Sequence, residues 1–185
     1  MFVCFGIINR STLCHFDKNE ISNYLQDGDI ICRLGNKFWS PILRDLSKNE
    51  KQFSHIGIVR IRDDTISVIH SEGLSKDKND FVKKVTLECF LRGSRSIGVF
   101  RLKSIDQTKV SDIALDFIGR PFDWQFDMID ESSLYCTELL YVVLKRINPD
   151  IKLNTVWLNV LNQYVLPLDI VYQTEYFYFV GYWER

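Results

Sequence analysis

Residues 54–73 constrain the fold of this chain more than any other stretch. Ser54-His55-Ile56-Gly57-Ile58-Val59-Arg60-Ile61 is short and β-branched, Asp63-Asp64 follows as a turn, and Thr65-Ile66-Ser67-Val68-Ile69-His70-Ser71-Glu72-Gly73 returns as a second β-rich run. Two such runs joined by a tight turn read as an antiparallel hairpin. Side chains alternate along a strand, so His55 shares a face with Gly57 and Val59, while His70 shares one with Val68 and Glu72. Pairing outward from the turn sets Glu72 directly across from His55 and His70 on the diagonal, and diagonal neighbours stay within reach of long side chains.

The rest of the chain supplies strands first and helices afterwards. Residues 17–28 read as a short helix ended by Asp27-Gly28, where glycine suits a left-handed cap. Asp29 fixes the turn into the strand Asp29-Ile30-Ile31-Cys32-Arg33-Leu34-Gly35. Pro41 suits the first turn of a short helix. Val85–Leu91 and Ser96–Leu102 are further strand candidates, and the charged run 74–84 reads as an exposed loop or a half-wet strand. From Asp106 the apolar residues Val110, Ile113, Ala114, Phe117 and Ile118 recur at helical spacing, and Gly119 with Pro121 ends that helix. Leu134–Ile147 is apolar on most sides and reads as a buried helix capped by Ser132 or Ser133 and stopped at Asn148-Pro149. The tail from Ile170 reads as one or two strands. Strands and helices segregated along the sequence argue for α+β, and the length of 185 residues, without repeat or linker, for one domain spanning 1–185.

Composition excludes several classes. Hydrophobic residues make up 46% of the chain and aromatic residues 14%, enough for a substantial core and unlike a disordered chain. The formal charge of −1 leaves no basic excess for nucleic acid. No apolar run approaches the ~20 residues that span a bilayer. The apolar start Met1–Ile8 is too short for a secretory signal and reads as a strand or helix turn. The five cysteines Cys4, Cys14, Cys32, Cys89 and Cys136 form no CxxC pair, so neither a zinc knuckle nor a disulfide framework is expected. Free thiols favour the cytoplasm, with export lacking a recognisable signal peptide still open.

Three histidines occur, and His15 lies in a polar N-terminal segment. His55 and His70 share the hairpin, and Cys136 falls near the start of the buried helix. Free N–H groups and the helix dipole lower a thiol pKa at such a position. A thiol there, facing an imidazole that a third polar group holds, is the arrangement for an activated nucleophile, and the same N–H groups can receive an oxyanion. A buried structural cysteine and a pair of satisfied histidines are the plain alternative. Tyr135, beside the thiol, either lines the oxyanion site or packs. Asp123 and Asp127 read as solvated loop residues, and Phe122, Trp124 and Phe126 as groove wall or core.

Asp27-Gly28-Asp29-Ile30-Ile31, Ser54-His55-Ile56-Gly57-Ile58-Val59, Val68-Ile69-His70, Pro121-Phe122-Asp123, Tyr135-Cys136-Thr137-Glu138-Leu139-Leu140 and Leu166-Pro167-Leu168-Asp169 together resemble the NlpC/P60 superfamily, and more closely its circularly permuted YiiX/YebB-like branch. In that branch the histidine precedes the cysteine, as here; Thr137 stands where serine is frequent. The resemblance covers roughly residues 27–180. It implies a papain-like α+β fold, an antiparallel sheet or partial barrel packed against helices. It maps Cys136 to the nucleophile, His55 to the base and His70 to the third polar residue. Glu72 is the alternative orienter on the strand-pairing argument, and His70 is preferred because Val-Ile-His matches the motif and register can shift. The expected activity is a cysteine amidase or peptidase-type hydrolysis of an amide or ester through an acyl-enzyme on Cys136, without metal or other cofactor. The expected substrate is a small peptide such as a peptidoglycan peptide, or an acyl-lipid conjugate. Alternatives are an acyltransferase of the same fold and a non-catalytic binding module.

Overall fold

The computed structural model describes residues 18–35, 52–73, 80–159 and 161–184. The expectations for Met1–Ile8, Cys4, Cys14, His15 and the helix at Pro41 lie outside the described residues.

The N-terminal helix α1 is brief, Lys18–Ser22. It leads through Gly28 into β1, Ile30–Gly35. Gly28 takes φ +81°, and a Cβ there would lie 2.2 Å from the Gln107 carbonyl oxygen, so only glycine fits this corner. Asp29 fixes the turn as expected: it is buried, accepts from the Gln26 amide at 2.7 Å and pairs with Arg101 Nε at 2.7 Å. The hairpin follows as β2, His55–Arg62, and β3, Thr65–Glu72. Its turn residues Asp63 and Asp64 both take positive φ, the type I′ geometry that matches strand twist. The register runs Ile58↔Ile69 through Arg62↔Thr65, as pairing outward from the turn requires.

Next come β4, Phe81–Thr86; α2, Leu87–Leu91; β5, Ser94–Leu102; and α3, Gln107–Leu115. Val85–Leu91 is therefore not one strand. Thr86 caps α2 by accepting from the Cys89 amide at 3.2 Å, and this capped turn buries Leu87, Phe90 and Leu91 together. The helix α4, Cys136–Ile147, precedes a small hairpin of β6, Val156–Leu158, and β7, Gln163–Val165. A 3-10 turn, Leu168–Tyr172, and the final strand β8, Phe177–Glu184, complete the described chain.

All pairings are antiparallel, and the main sheet has the order β4-β3-β2-β1-β5-β8. It is an open sheet; the described strands do not close a barrel. Its two faces follow the two-residue alternation of β1 and β2. Ile30, Cys32, Ile56, Ile58 and Ile69 pack with α3 and α4 around Leu139, Leu140 and Val143. Ile31, Val59, Val68, Ile97 and Val99 pack on the other face with Leu87, Phe90 and Ile21 of the short helices. A buried apolar stripe on each face is what fixes the strand register, because a one-residue slip would turn every side chain over. No described helix is long and apolar enough to cross a membrane.

Candidate active site

Cys136 is the first residue of α4. The expected caps Ser132 and Ser133 do not serve; the residue before the helix is Tyr135, whose amide donates to Glu138 Oε2 at 3.2 Å. The carboxylate half of a capping box thus replaces the hydroxyl half. The Cys136 thiol is 7% exposed. Its sulfur faces the backbone N–H of Ile56, of Thr137 and of Cys136 itself, and the Arg33 guanidinium adds a favourable charge. Ile56 follows His55 directly. The β2–β3 ladder ends at Ile58↔Ile69, so the end of β2 opens where the start of α4 meets the sheet. Burial nevertheless dominates and pushes the thiol up to about 11 from 9.0. The expected lowering is therefore corrected: desolvation of the thiolate outweighs the N–H groups and the charge.

His55 opens β2 and lies across from Arg33 of β1. Its Nε2 is 2.8 Å from His70 Nδ1. The two rings meet edge to face with centroids 5.0 Å apart. Both pack on Phe90 of α2, His55 stacked at 5.8 Å and His70 edge-on at 5.3 Å. His55 is 8% exposed and His70 2%. The register is not shifted, so the His55–His70 contact is the diagonal one. Glu72 is engaged elsewhere: Oε1 receives Arg33 Nη2 at 2.6 Å and Oε2 lies 3.1 Å from Lys83 Nζ. The structure thus brings together His55 and His70, and sets Cys136 against the residue next to His55. Arg33 and Phe90 were not singled out from sequence; the one basic residue in the apolar run Ile30–Leu34 was the available signal for Arg33.

Three further hydrogen bonds hold the start of α4 in place. Ser71 donates its hydroxyl to the Leu134 carbonyl, tying β3 to the approach of α4. Tyr135 and Thr137, on either side of Cys136, grip the same backbone unit: Tyr135 Oη accepts from the Leu166 amide at 2.8 Å, and Thr137 Oγ1 donates to the Leu166 carbonyl at 2.7 Å. The Tyr135 hydroxyl is buried, which raises its pKa, and it clamps Leu166 in this state. Asp123 is not solvated; it is buried and accepts from the Gln125 and Asp127 amides at 2.7 and 2.9 Å, folding the loop before α4. Phe122, Trp124 and Phe126 pack on one another, and Phe126 packs on Tyr135 at 5.0 Å. They are core and support rather than an open wall. Glu138, 2% exposed, has its carboxyl pushed up to about 8 from 4.5, first by burial and then by Asp123, Asp127 and Asp130. A cavity of about 500 Å³ borders Pro167, Asp169 and Tyr172, and neither Cys136, His55 nor His70 lines it.

The arrangement can be compared with known proteins. Among curated proteins, none matches the sequence. The crystal structure of yiiX from Escherichia coli O157:H7, described as a metalloprotein, superposes with a TM-score of 0.69 at 19% identity, covering 86% of this chain and 98% of that one. That likeness is one of fold. Over residues 24–167 the sequence matches the model of the permuted papain-like amidase enzymes, YaeF/YiiX, C92 family. The chain belongs to this family of permuted papain-like cysteine amidases.

Proposed function

We propose that the chain cleaves an amide or ester bond through an acyl-enzyme on Cys136, with His55 as base and His70 as its orienter. The observation that carries this reading is the 2.8 Å contact of His55 Nε2 with His70 Nδ1, beside a thiol whose sulfur meets the Ile56 amide. In this reading Nε2 of His55 faces His70 and Nδ1 takes the thiol proton. Nε2 then carries hydrogen and donates to His70, which holds the ring in that tautomer. A neutral imidazole does for His55 what a carboxylate or amide does in other triads, orientation first and charge stabilisation second.

The steps balance on these groups. The thiol proton passes to His55 as sulfur forms a bond to the carbonyl carbon, and the oxygen takes the negative charge. Backbone N–H groups at the start of α4 can donate to it. Collapse breaks the bond to the leaving amine or alcohol, which takes the proton from His55. Water, deprotonated by His55, then cleaves the thioester and restores the thiol. Because burial holds the free thiol near 11, nucleophile formation depends on proton transfer during attack rather than on a standing thiolate. The substrate class that fits is a small peptide amide or an acyl-lipid conjugate, with transfer to another acceptor replacing hydrolysis if water is excluded.

The relative's description as a metalloprotein raises the question of a metal. Among the described residues, no group of three or more His, Cys, Asp or Glu side chains is placed to hold an ion. His55 and His70 also direct one ring nitrogen each at the other, so the donor set does not fit a metal and no step is derived through one. Incubation with an activated acyl ester, followed by intact-mass and peptide-mass measurement, tests the proposal. An acyl adduct on Cys136 that is absent in Cys136→Ala supports it; a folded protein acylated elsewhere, or equally in Cys136→Ala, overturns it.

A further inference from the structure

Arg33 is an unusual residue to find in β1. It is 8% exposed on a strand otherwise made of Ile30, Ile31, Cys32, Leu34 and Gly35. Burying a guanidinium costs several kcal/mol unless it is paired, and even a well-made buried pair adds little net stability. Its pairing is also incomplete: the buried Nε makes no hydrogen bond among the described residues. Stability alone is therefore a poor reason for it.

Its side-chain contacts go to Glu72 and to Phe90, the residue on which both histidines pack. Nη2 donates to Glu72 Oε1 at 2.6 Å. Nη1 donates to the Phe90 carbonyl at 2.6 Å. The guanidinium carbon stands 4.7 Å from the centre of the Phe90 ring, the ring on which both His55 and His70 pack. In the sheet, Arg33 lies directly opposite His55. We infer that Arg33 is a positioning residue for the imidazole base: it neutralises Glu72 and clamps Phe90 against both rings, so that His55 is supported by an aromatic face and His70 without the field of an unbalanced carboxylate. This deepens the preceding proposal and rests on His55 being the base.

The groups that face Arg33 come from each element around it. They are Glu72 on β3 with Lys83 of β4 behind it, His55 on β2, Cys89 on α2 and Cys136 on α4. Of these, Glu72 is the acidic group in direct contact, and Lys83 at 3.1 Å balances its other oxygen only in part. Removing the guanidinium takes one positive charge away from the cluster beside His55 and leaves Glu72 with Lys83 alone, which favours imidazolium. Removing the carboxylate leaves a net positive charge, which disfavours it. Removing both restores the balance.

The full chain contains only three histidines, so the ring resonances can be assigned and titrated by NMR. The His55 midpoint is expected to rise by about one unit in Arg33→Met and to fall by a similar amount in Glu72→Gln. It is expected to return to the wild-type value in the double variant and to stay there in Arg33→Lys, which keeps the charge. If Arg33→Met does not fold, Glu72→Gln and Arg33→Lys carry the same test. A His55 midpoint that does not move in Glu72→Gln, or a shift in Arg33→Met that Glu72→Gln fails to reverse, overturns the inference. A wild-type Cys136 that forms no acyl adduct while the midpoints move as stated would instead overturn the catalytic proposal and leave the electrostatic role standing.

Discussion

Replacing Glu138 by Gln should stabilise the protein, and only above the ordinary carboxylate range. Glu138 is 2% exposed, two residues beyond the thiol, with its carboxyl pushed up to about 8 from 4.5. In the unfolded chain the proton leaves near 4.5, while the folded protein keeps it to about 8. Across that window the unfolded state binds fewer protons, so stability falls as pH rises. Integrated from pH 5 to pH 7, the difference amounts to about 2–3 kcal/mol. Gln cannot ionise, and its side-chain oxygen can still accept the Tyr135 amide. The variant should therefore lack this decline, and its melting temperature should gain on wild type by about 5–10 °C over the same interval. Thermal melts of both proteins at several pH values measure it. A constant difference between the two across pH 5–7, or a wild type that gains on the variant, would refute the reasoning. The neutral carboxyl also matters to the site, because it spares the start of α4 a negative charge beside Cys136.

His70→Ala should slow turnover on the order of 10- to 100-fold by releasing His55 Nε2, while Glu72→Gln should leave the maximal rate nearly intact and move only its pH dependence; steady-state rates across pH on one activated ester distinguish the two. Gly57→Ala would place a Cβ 2.4 Å from Val68 Cγ1 and 3.2 Å from both His70 Cβ and Phe90 Cε2. It should cost about 1–3 kcal/mol through overpacking, read as a lower denaturation midpoint with unchanged slope, and it should slow acylation by displacing His70.

The hairpin was legible because β-branched residues and a two-residue turn leave little choice of structure, and even its register could be counted outward from Asp63-Asp64. What the count could not show is where the ladder stops. Because pairing ends at Ile58↔Ile69, His55 meets His70 across the diagonal, and Glu72 is drawn to Arg33. The family motif and the pairing argument disagreed over this residue, and the structure accommodates both the motif's contact and the argument's register. Short elements were harder. α2 has five residues and β6 and β7 three each, too few for periodicity to register, although Thr86 was a readable cap. The start of α4 was misplaced because tyrosine is an unusual capping residue, and the informative member was Glu138, which caps backward. The direction of the Cys136 shift was beyond sequence, since it depends on how deeply α4 sinks into the sheet.

The most direct test of the central claim is the pH dependence of Cys136 alkylation by iodoacetamide, read by peptide mapping in wild type and His55→Ala. A thiol that titrates near 11 would be ionised to only about one part in 10⁴ at neutral pH without help. Cys136 should label at near-neutral pH in wild type. In His55→Ala its rate should fall at least about tenfold there and recover only as the pH climbs toward 11, while the exposed Cys89 labels alike in both proteins. Equal Cys136 rates in the two folded proteins would contradict the pairing of this thiol with this histidine.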